Sequence, residues 1–123
     1  MKNLIIVTGG AGFVGSNLIK LLLKKTKFII ISIDNYSTGN KESLPSTNDN
    51  IEIVEGTIFD KNLVESIFKS FKPECVIHSA ASYKDPDNWL EDINTNIIGS
   101  INIAKASGVA IGNLLHFLNL SLL

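Results

Sequence analysis

Leu4-Ile5-Ile6-Val7-Thr8-Gly9-Gly10-Ala11-Gly12-Phe13-Val14-Gly15 decides the fold of this 123-residue chain. Leu4 to Thr8 is a short apolar run rich in β-branched residues, the pattern of a strand buried on both faces. Gly9 to Gly12 is a glycine-rich turn. Phe13 to Lys25 then takes helical spacing, with Phe13, Val14, Leu18, Leu21 and Leu22 expected on the core side and Asn17, Lys20 and Lys24 in solvent. Glycines between a buried strand and a helix have a specific use. Gly9 allows the tight turn, Gly12 lets backbone approach a pyrophosphate, and Gly15 lets the helix pack close to the strand. The free N–H groups and the dipole of the helix start then face the phosphates.

The rest of the chain continues the alternation. Phe28 to Ile33 reads as a second buried strand. Asp34 to Asn50 is a polar loop containing Gly39 and Pro45, with room for one short helical turn. Ile51 to Val54 is a third strand. Asp60 is a suitable N-cap for a helix over Lys61 to Phe71, and Pro73 stops it. Cys75 to His78 is a fourth strand. A long helix is expected from about Asn88 to Ser107, closed by Gly108. Leu114 to Leu118 is a candidate fifth strand. Apolar strands alternating with helices indicate an α/β fold, a Rossmann-like doubly wound parallel sheet with the first strand central. The expected organisation is a partial dinucleotide-binding domain over residues 1–109 and a divergent apolar tail over 110–123, with the sheet truncated after about the fifth strand.

Composition narrows the function. An apolar fraction of 45%, 19% charged residues and a net charge of −1 describe a globular chain with no general attraction to nucleic acid or anionic membrane. All eleven basic residues are lysines. No apolar run reaches the ~20 residues that span a bilayer, and no signal segment is visible. A cytoplasmic protein is expected. One cysteine forms no internal disulfide, and two histidines with one cysteine give no metal-ligand spacing. His78 reads as a hydrogen-bonded strand-end residue and Cys75 as a small core residue. Lys84 and Asp85 either touch substrate phosphates or form a solvated loop, and Trp89 is expected to anchor the long helix.

Asp34 lies 19 residues after Gly15, at the end of the second strand. A carboxylate there can accept hydrogen bonds from both adenosine ribose hydroxyls and repels a 2′-phosphate. With no arginine nearby to reverse that preference, NAD is expected over NADP.

Five ordered motifs carry a family resemblance: the Thr8-to-Gly15 turn, Asp34-Asn35-Tyr36-Ser37-Thr38-Gly39, Glu55-Gly56-Thr57-Ile58, His78-Ser79-Ala80-Ala81 and Asn96-Ile97-Ile98-Gly99-Ser100-Ile101-Asn102. Together they resemble the NAD-dependent epimerase/dehydratase family, the extended short-chain dehydrogenases. The likeness is strongest to bacterial UDP-sugar 4-epimerases and covers residues 1 to about 107. It implies that Phe13 and Val14 meet the pyrophosphate through their backbones. It implies that Asp34, Asn35, Ser37, Thr38 and Gly39 surround the adenosine ribose, and that Thr57 and Ile58 border the adenine. Many members have an aspartate where this chain has Thr57. Ala80, Ala81 and Ser82 would line the nicotinamide ribose, with Thr95 or Asn96 beneath the nicotinamide side.

The same resemblance implies what to look for in catalysis. The family uses Ser/Thr and a Tyr-x-x-x-Lys pair beyond the fifth strand, the tyrosine serving as acid/base. Four residues after Tyr36 stands Asn40, and four after Tyr83 stands Asp87, so no such pair occurs here. No catalytic residue is therefore assigned. The expected role is the NAD-binding N-terminal part of a nucleotide-sugar 4-epimerase, inactive alone. The alternatives are a non-catalytic dinucleotide-binding module and part of a dehydratase, decarboxylase or other extended short-chain dehydrogenase. A nucleotide sugar is the expected substrate of the full-length relative. The apolar residues between Leu114 and Leu123 are expected to promote self-association.

Overall fold

The computed structural model describes residues 3–45, 47–111 and 117–119, with backbone only for 109–111 and 117–119. Strand β1 (Leu4–Thr8) leads into helix α1 (Phe13–Lys25), and β2 (Ile29–Asp34) follows. A single 3₁₀ turn (Lys41–Ser43) interrupts the loop to β3 (Ile51–Glu55). Helix α2 (Lys61–Phe71) and strand β4 (Cys75–His78) come next. A continuous helical rod then runs from α3 (Trp89–Asp92) through a π-helical segment (Ile93–Gly99) into α4 (Ser100–Ile111). Strand β5 (Phe117–Asn119) pairs with β4; Leu114 to His116, the first part of the expected fifth strand, lie outside the described residues.

All pairings are parallel, and the sheet order is β3-β2-β1-β4-β5. The doubly wound sheet with β1 at its centre is thus as the sequence indicated. β2 and β3 pair directly, and among the described residues of the loop between them the one helical element is the 3₁₀ turn. Both faces of β1 are covered. Ile6, Ile31, Ile33 and Val76 pack with Val64, Ile67 and Phe68 of α2 and Ile103 and Ala106 of α4. Ile5, Val7 and Ile30 pack with Ile19 of α1 on the other side. Each buried aliphatic side chain of this kind contributes roughly 1.5–3 kcal/mol, which explains why strands with so few polar residues sit at the middle.

Helix ends follow local chemistry. The Asp60 carboxylate accepts the Leu63 N–H at 3.1 Å, and the Asn88 side chain accepts the Glu91 N–H at 3.2 Å. Helix α2 ends on Lys72 in the left-handed region (φ 48°), directly before Pro73.

Two expectations are corrected. The core side of α1 is Gly15, Ser16 and Ile19, flanked by Leu22 and Leu23, whereas Phe13 (87% exposed), Val14 and Leu21 face outward. The glycine turn sets this phase, because Gly15 must face the Gly9 carbonyl, where a Cβ would come within 2.2 Å of the oxygen. Gly108 does not close the last helix but lies inside α4, with nothing within 4 Å of a Cβ built there. A solvent-facing glycine costs the helix only about 1 kcal/mol, too little to end one held by Ile103 and Ala106.

Candidate functional site

The carboxyl ends of β1, β2 and β4 open onto one cleft of about 310 Å³. Chain connections leave β1 toward β2 on one side and reach β4 on the other, so the cleft lies at the switch point where open α/β sheets take ligands. Its wall includes Gly9, Gly12, Phe13, Val14 and Gly15 from the glycine turn, and Asp34, Asn35, Ser37 and Thr38 from the end of β2. Thr57 and Ile58 follow β3. Ala80, Ala81 and Ser82 follow β4, and Thr95 comes from the π-wound segment.

The turn is built by backbone contacts. Gly9 has φ +68°, and a Cβ there would come within 2.7 Å of the Ala80 nitrogen. Only glycine satisfies both demands. The Gly9 N–H donates to the Ile33 carbonyl at 2.7 Å, tying β1 to β2. Gly12 differs: a Cβ there meets only the Gly9 oxygen at 3.3 Å, so its open side faces the cleft. Gly12 is the N-cap of α1 and offers no side chain to the first turn. The N–H groups that open a helix have no intrahelical acceptor, and here they border the cleft.

Among the described residues lining the cleft, Asp34 is the only charged one. Its Oδ2 accepts the Ala11 N–H at 2.9 Å and its Oδ1 accepts the Tyr36 N–H at 2.8 Å. Each carboxylate oxygen keeps a further lone pair. The carboxylate therefore holds the glycine turn and the following loop in place while still able to accept from a ligand. Tyr36 takes φ 59°, a conformation uncommon for a bulky residue and supported by that bond to Asp34. The kink packs the Tyr36 side chain against the core and leaves Asn35, Ser37 and Thr38 on the cleft. Burial, then the charge of Asp34, raises the Tyr36 pKa. Lys41 stands 4.9 Å from the Tyr36 ring centre and pairs with Glu55 at 2.8 Å; that hydrogen bond raises its pKa.

Two nominated residues stand behind the wall rather than on it. Gly39 packs against Ala11, where a Cβ would come within 2.9 Å of the Ala11 Cβ, and the neighbouring Asn40 N–H donates to the Ala11 carbonyl. Asn96 grips the Ser82 backbone twice, accepting its N–H at 2.9 Å and donating to its carbonyl at 2.7 Å. Both fix segments that do line the cleft. Thr57 Oγ1 is buried with no hydrogen-bond partner among the described residues, an orphaned hydroxyl on the β3 side of the cleft.

The wall also includes Ile33, Gly56, Ser79 and Tyr83, which motif spacing did not nominate. Gly56 and Ser79 directly follow β3 and β4. The rule that ligands sit at strand carboxyl ends could have found them. His78 is fully buried and its imidazole pKa is lowered to about 4 by burial. Burial also raises the Cys75 thiol. Among the described residues no group of His, Cys, Asp and Glu has the arrangement of a metal site, and no helix is long and apolar enough to cross a membrane.

These features suit a dinucleotide. The cleft-lining residues include no lysine, so a pyrophosphate there would meet helix N–H groups; the carboxylate at the end of β2 suits ribose hydroxyls, and the orphaned Thr57 hydroxyl suits a base.

Known proteins are similar over nearly the whole chain. Residues 5–121 match the model of the NAD dependent epimerase/dehydratase family. The structure resembles the Bordetella bronchiseptica enzyme WbmG in complex with NAD and UDP, at 50% identity and a TM-score of 0.86, covering 94% of this chain and 36% of that one. It also resembles the Thermotoga maritima UDP-glucose 4-epimerase with UDP-glucose, at 35% identity and a TM-score of 0.82, covering 93% and 37%. A dTDP-glucose 4,6-dehydratase of Neisseria meningitidis is 34% identical over 109 residues, which are 84% of this chain and 31% of that protein. The chain thus spans about a third of the length of these relatives.

Proposed function

The chain belongs to the NAD dependent epimerase/dehydratase family, and from that premise we propose that it is the NAD-binding part of a nucleotide-sugar 4-epimerase acting in the cytoplasm. The observation that carries the reading is the cleft itself: an open Gly12, an uncapped helix start and a carboxylate anchored to the glycine turn converge at the switch point of the sheet. UDP bound to WbmG, at 50% identity, and UDP-glucose bound to the Thermotoga enzyme favour a UDP-sugar as substrate. The dehydratase likeness supports the same cofactor site with a different fate for the sugar.

When bound, NAD would supply hydride transfer at C4 of the sugar, with hydride taken and returned in one cycle. The residues here orient and hold. Helix α1 N–H groups receive the pyrophosphate. Asp34 accepts from the adenosine ribose and Thr57 reaches the adenine. Ala80 to Ser82, braced by Asn96, bound the nicotinamide side. The 123 residues include no Tyr-x-x-x-Lys pair, so proton transfer to the sugar is not assigned to any of them, and the chain by itself is expected to bind without turning over.

Cofactor choice tests the reading. NAD should bind more tightly than NADP, because Asp34 opposes the 2′-phosphate. A unit charge pair at 4 Å and an effective dielectric of 20 is worth about 4 kcal/mol, less at a half-exposed site. Asp34→Asn keeps an oxygen acceptor and removes the charge, and should narrow the preference about tenfold or more. Calorimetric titrations with both cofactors measure it. An unmodified chain that prefers NADP would refute the role given to Asp34.

Self-association is also part of this reading; the 114–123 tail lies mostly outside the described residues, and the rod offers a further face. Leu90, Ile93, Ile97 and Ile101 form an exposed apolar stripe at helical spacing. Asp85, Asp87 and Glu91 stand near its start and Lys105 near its end. Antiparallel pairing of two copies would therefore oppose unlike charges. Ile97→Asp would put two carboxylates at the two-fold centre and should weaken the dimer on the order of 100-fold in sedimentation equilibrium. Unchanged association would exclude this face.

A further inference from the structure

His78 ends β4 and is fully buried, yet it does not line the cleft. Its Nδ1 is 2.6 Å from Thr8 Oγ1, and its Nε2 is 2.9 Å from Ser100 Oγ. Thr8 Oγ1 already accepts the Ala80 N–H at 3.3 Å. A neutral imidazole donates from one ring nitrogen and accepts at the other, so it serves both hydroxyls at once. One imidazole thereby joins the end of β1, the end of β4 and the helical rod.

Ser100 is where the rod returns from π to α winding. π-helical turns are rare and frequently lie at functional sites, and the contacts around this one explain how it persists. Gly99 lies against Ile58, where a Cβ would come within 2.5 Å of Ile58 Cγ1. The Asn102 amide donates to the Ile58 carbonyl at 3.0 Å. Asn96, inside the π segment, holds Ser82 by two bonds. The segment is thus pinned in its middle to the loop after β4 and at its end to His78. Relaxation to α winding would turn Thr95 and Asn96 about the helix axis relative to Ser100, and the hold on Ser82 would be lost.

We propose that His78 is a positioning residue for the cleft wall of Ala80, Ala81, Ser82 and Thr95: it locks the π-wound segment at Ser100, which keeps Asn96 engaged on Ser82. The inference rests on the dinucleotide reading of the cleft. It divides that site in two. The end at Asp34, Ser37 and Thr38, on the β2 side of β1, is independent of the lock, and the end at Ala80 to Ser82 and Thr95 depends on it.

Binding of NAD and of ADP to the full chain separates the two ends, since ADP lacks the nicotinamide ribose. Ser100→Ala removes one partner of His78, the one on the rod, without changing a residue that lines the cleft. It should weaken NAD about tenfold, the scale of one lost buried hydrogen bond, and leave ADP within about twofold. Ser100→Thr restores the hydroxyl and should restore NAD affinity. His78→Asn, which keeps a polar group toward Thr8 but not toward Ser100, should repeat the Ser100→Ala pattern. Parallel weakening of NAD and ADP would overturn the proposal in favour of a merely structural role, and so would NAD affinity unchanged in Ser100→Ala. If the unmodified chain binds neither NAD nor ADP, the dinucleotide reading itself fails, and the result is distinct from a lock that does not matter.

Discussion

Gly12→Val should abolish NAD binding while leaving the chain folded. A Cβ at Gly12 meets only the Gly9 oxygen at 3.3 Å, so the backbone accepts a side chain after a shift of a few tenths of an ångström. The φ of Gly12 is −76°, open to any residue. What a valine changes is the cleft, because its methyl groups would stand where helix N–H groups meet the pyrophosphate. Losing two hydrogen bonds to a charged group costs about 3–6 kcal/mol, or roughly 10²–10⁴-fold in affinity. The neighbouring glycines make the contrast. Gly15→Ala would drive a methyl to 2.2 Å from the Gly9 oxygen, and Gly9→Ala would strike Ala80 from a left-handed backbone, so both should lower stability itself. Calorimetry for affinity and thermal unfolding for stability check the pair of outcomes. A folded Gly12→Val chain with unaltered NAD affinity would remove the glycine turn from the site.

Acidification should destabilise the fold through His78. Burial lowers its pKa in the folded chain to about 4, against 6.5 when exposed. Between those values the unfolded chain holds the proton and the folded chain does not, so stability falls as pH falls. The contribution is complete above pH 6.5. About 2 kcal/mol of it is lost between pH 7 and pH 5, and about 3 kcal/mol by pH 4, at 1.36 kcal/mol for each pKa unit. The interval from pH 7 to 5 is the informative one, because carboxylates begin to titrate below it. Urea denaturation across that interval should show the slope in the unmodified chain and lose most of it in His78→Gln, whose absolute stability is lower. An unmodified chain equally stable at pH 7 and pH 5 would contradict a buried, neutral imidazole.

The parts of the fold that could be read from sequence are those decided locally. Leu4–Thr8 and Cys75–His78 match their expected bounds because a short apolar run at the middle of a parallel sheet admits little else. Asp60 caps α2 because its side chain reaches an N–H group three residues on. The phase of α1 was not readable, since it depends on where Gly15 meets a carbonyl six residues earlier, across a turn. Apolarity alone placed Phe13 and Leu21 inward.

The candidate site divides in the same way. Residues at or just beyond the carboxyl end of a strand, such as Asp34 and Ala80, fall on the cleft, the first as spacing suggests and the second as the motif resemblance implies. Gly39 and Asn96 carry the motif but support the wall through Ala11 and Ser82, contacts that only the tertiary structure brings together. The π winding of Ile93–Gly99 likewise has no local signature. It is sustained by distant partners, His78, Ser82 and Ile58, none of them near it in sequence.

The central claim, that this cleft takes NAD, is tested most directly by titrating NAD into the ¹⁵N-labelled chain and following backbone amide shifts. The account predicts saturable changes at Gly9 to Gly15, Asp34 to Thr38 and Ala80 to Ser82. Amides in α2, between Lys61 and Lys72, should stay still. Absence of any change in a folded chain at millimolar NAD, or changes confined to α2, would contradict it.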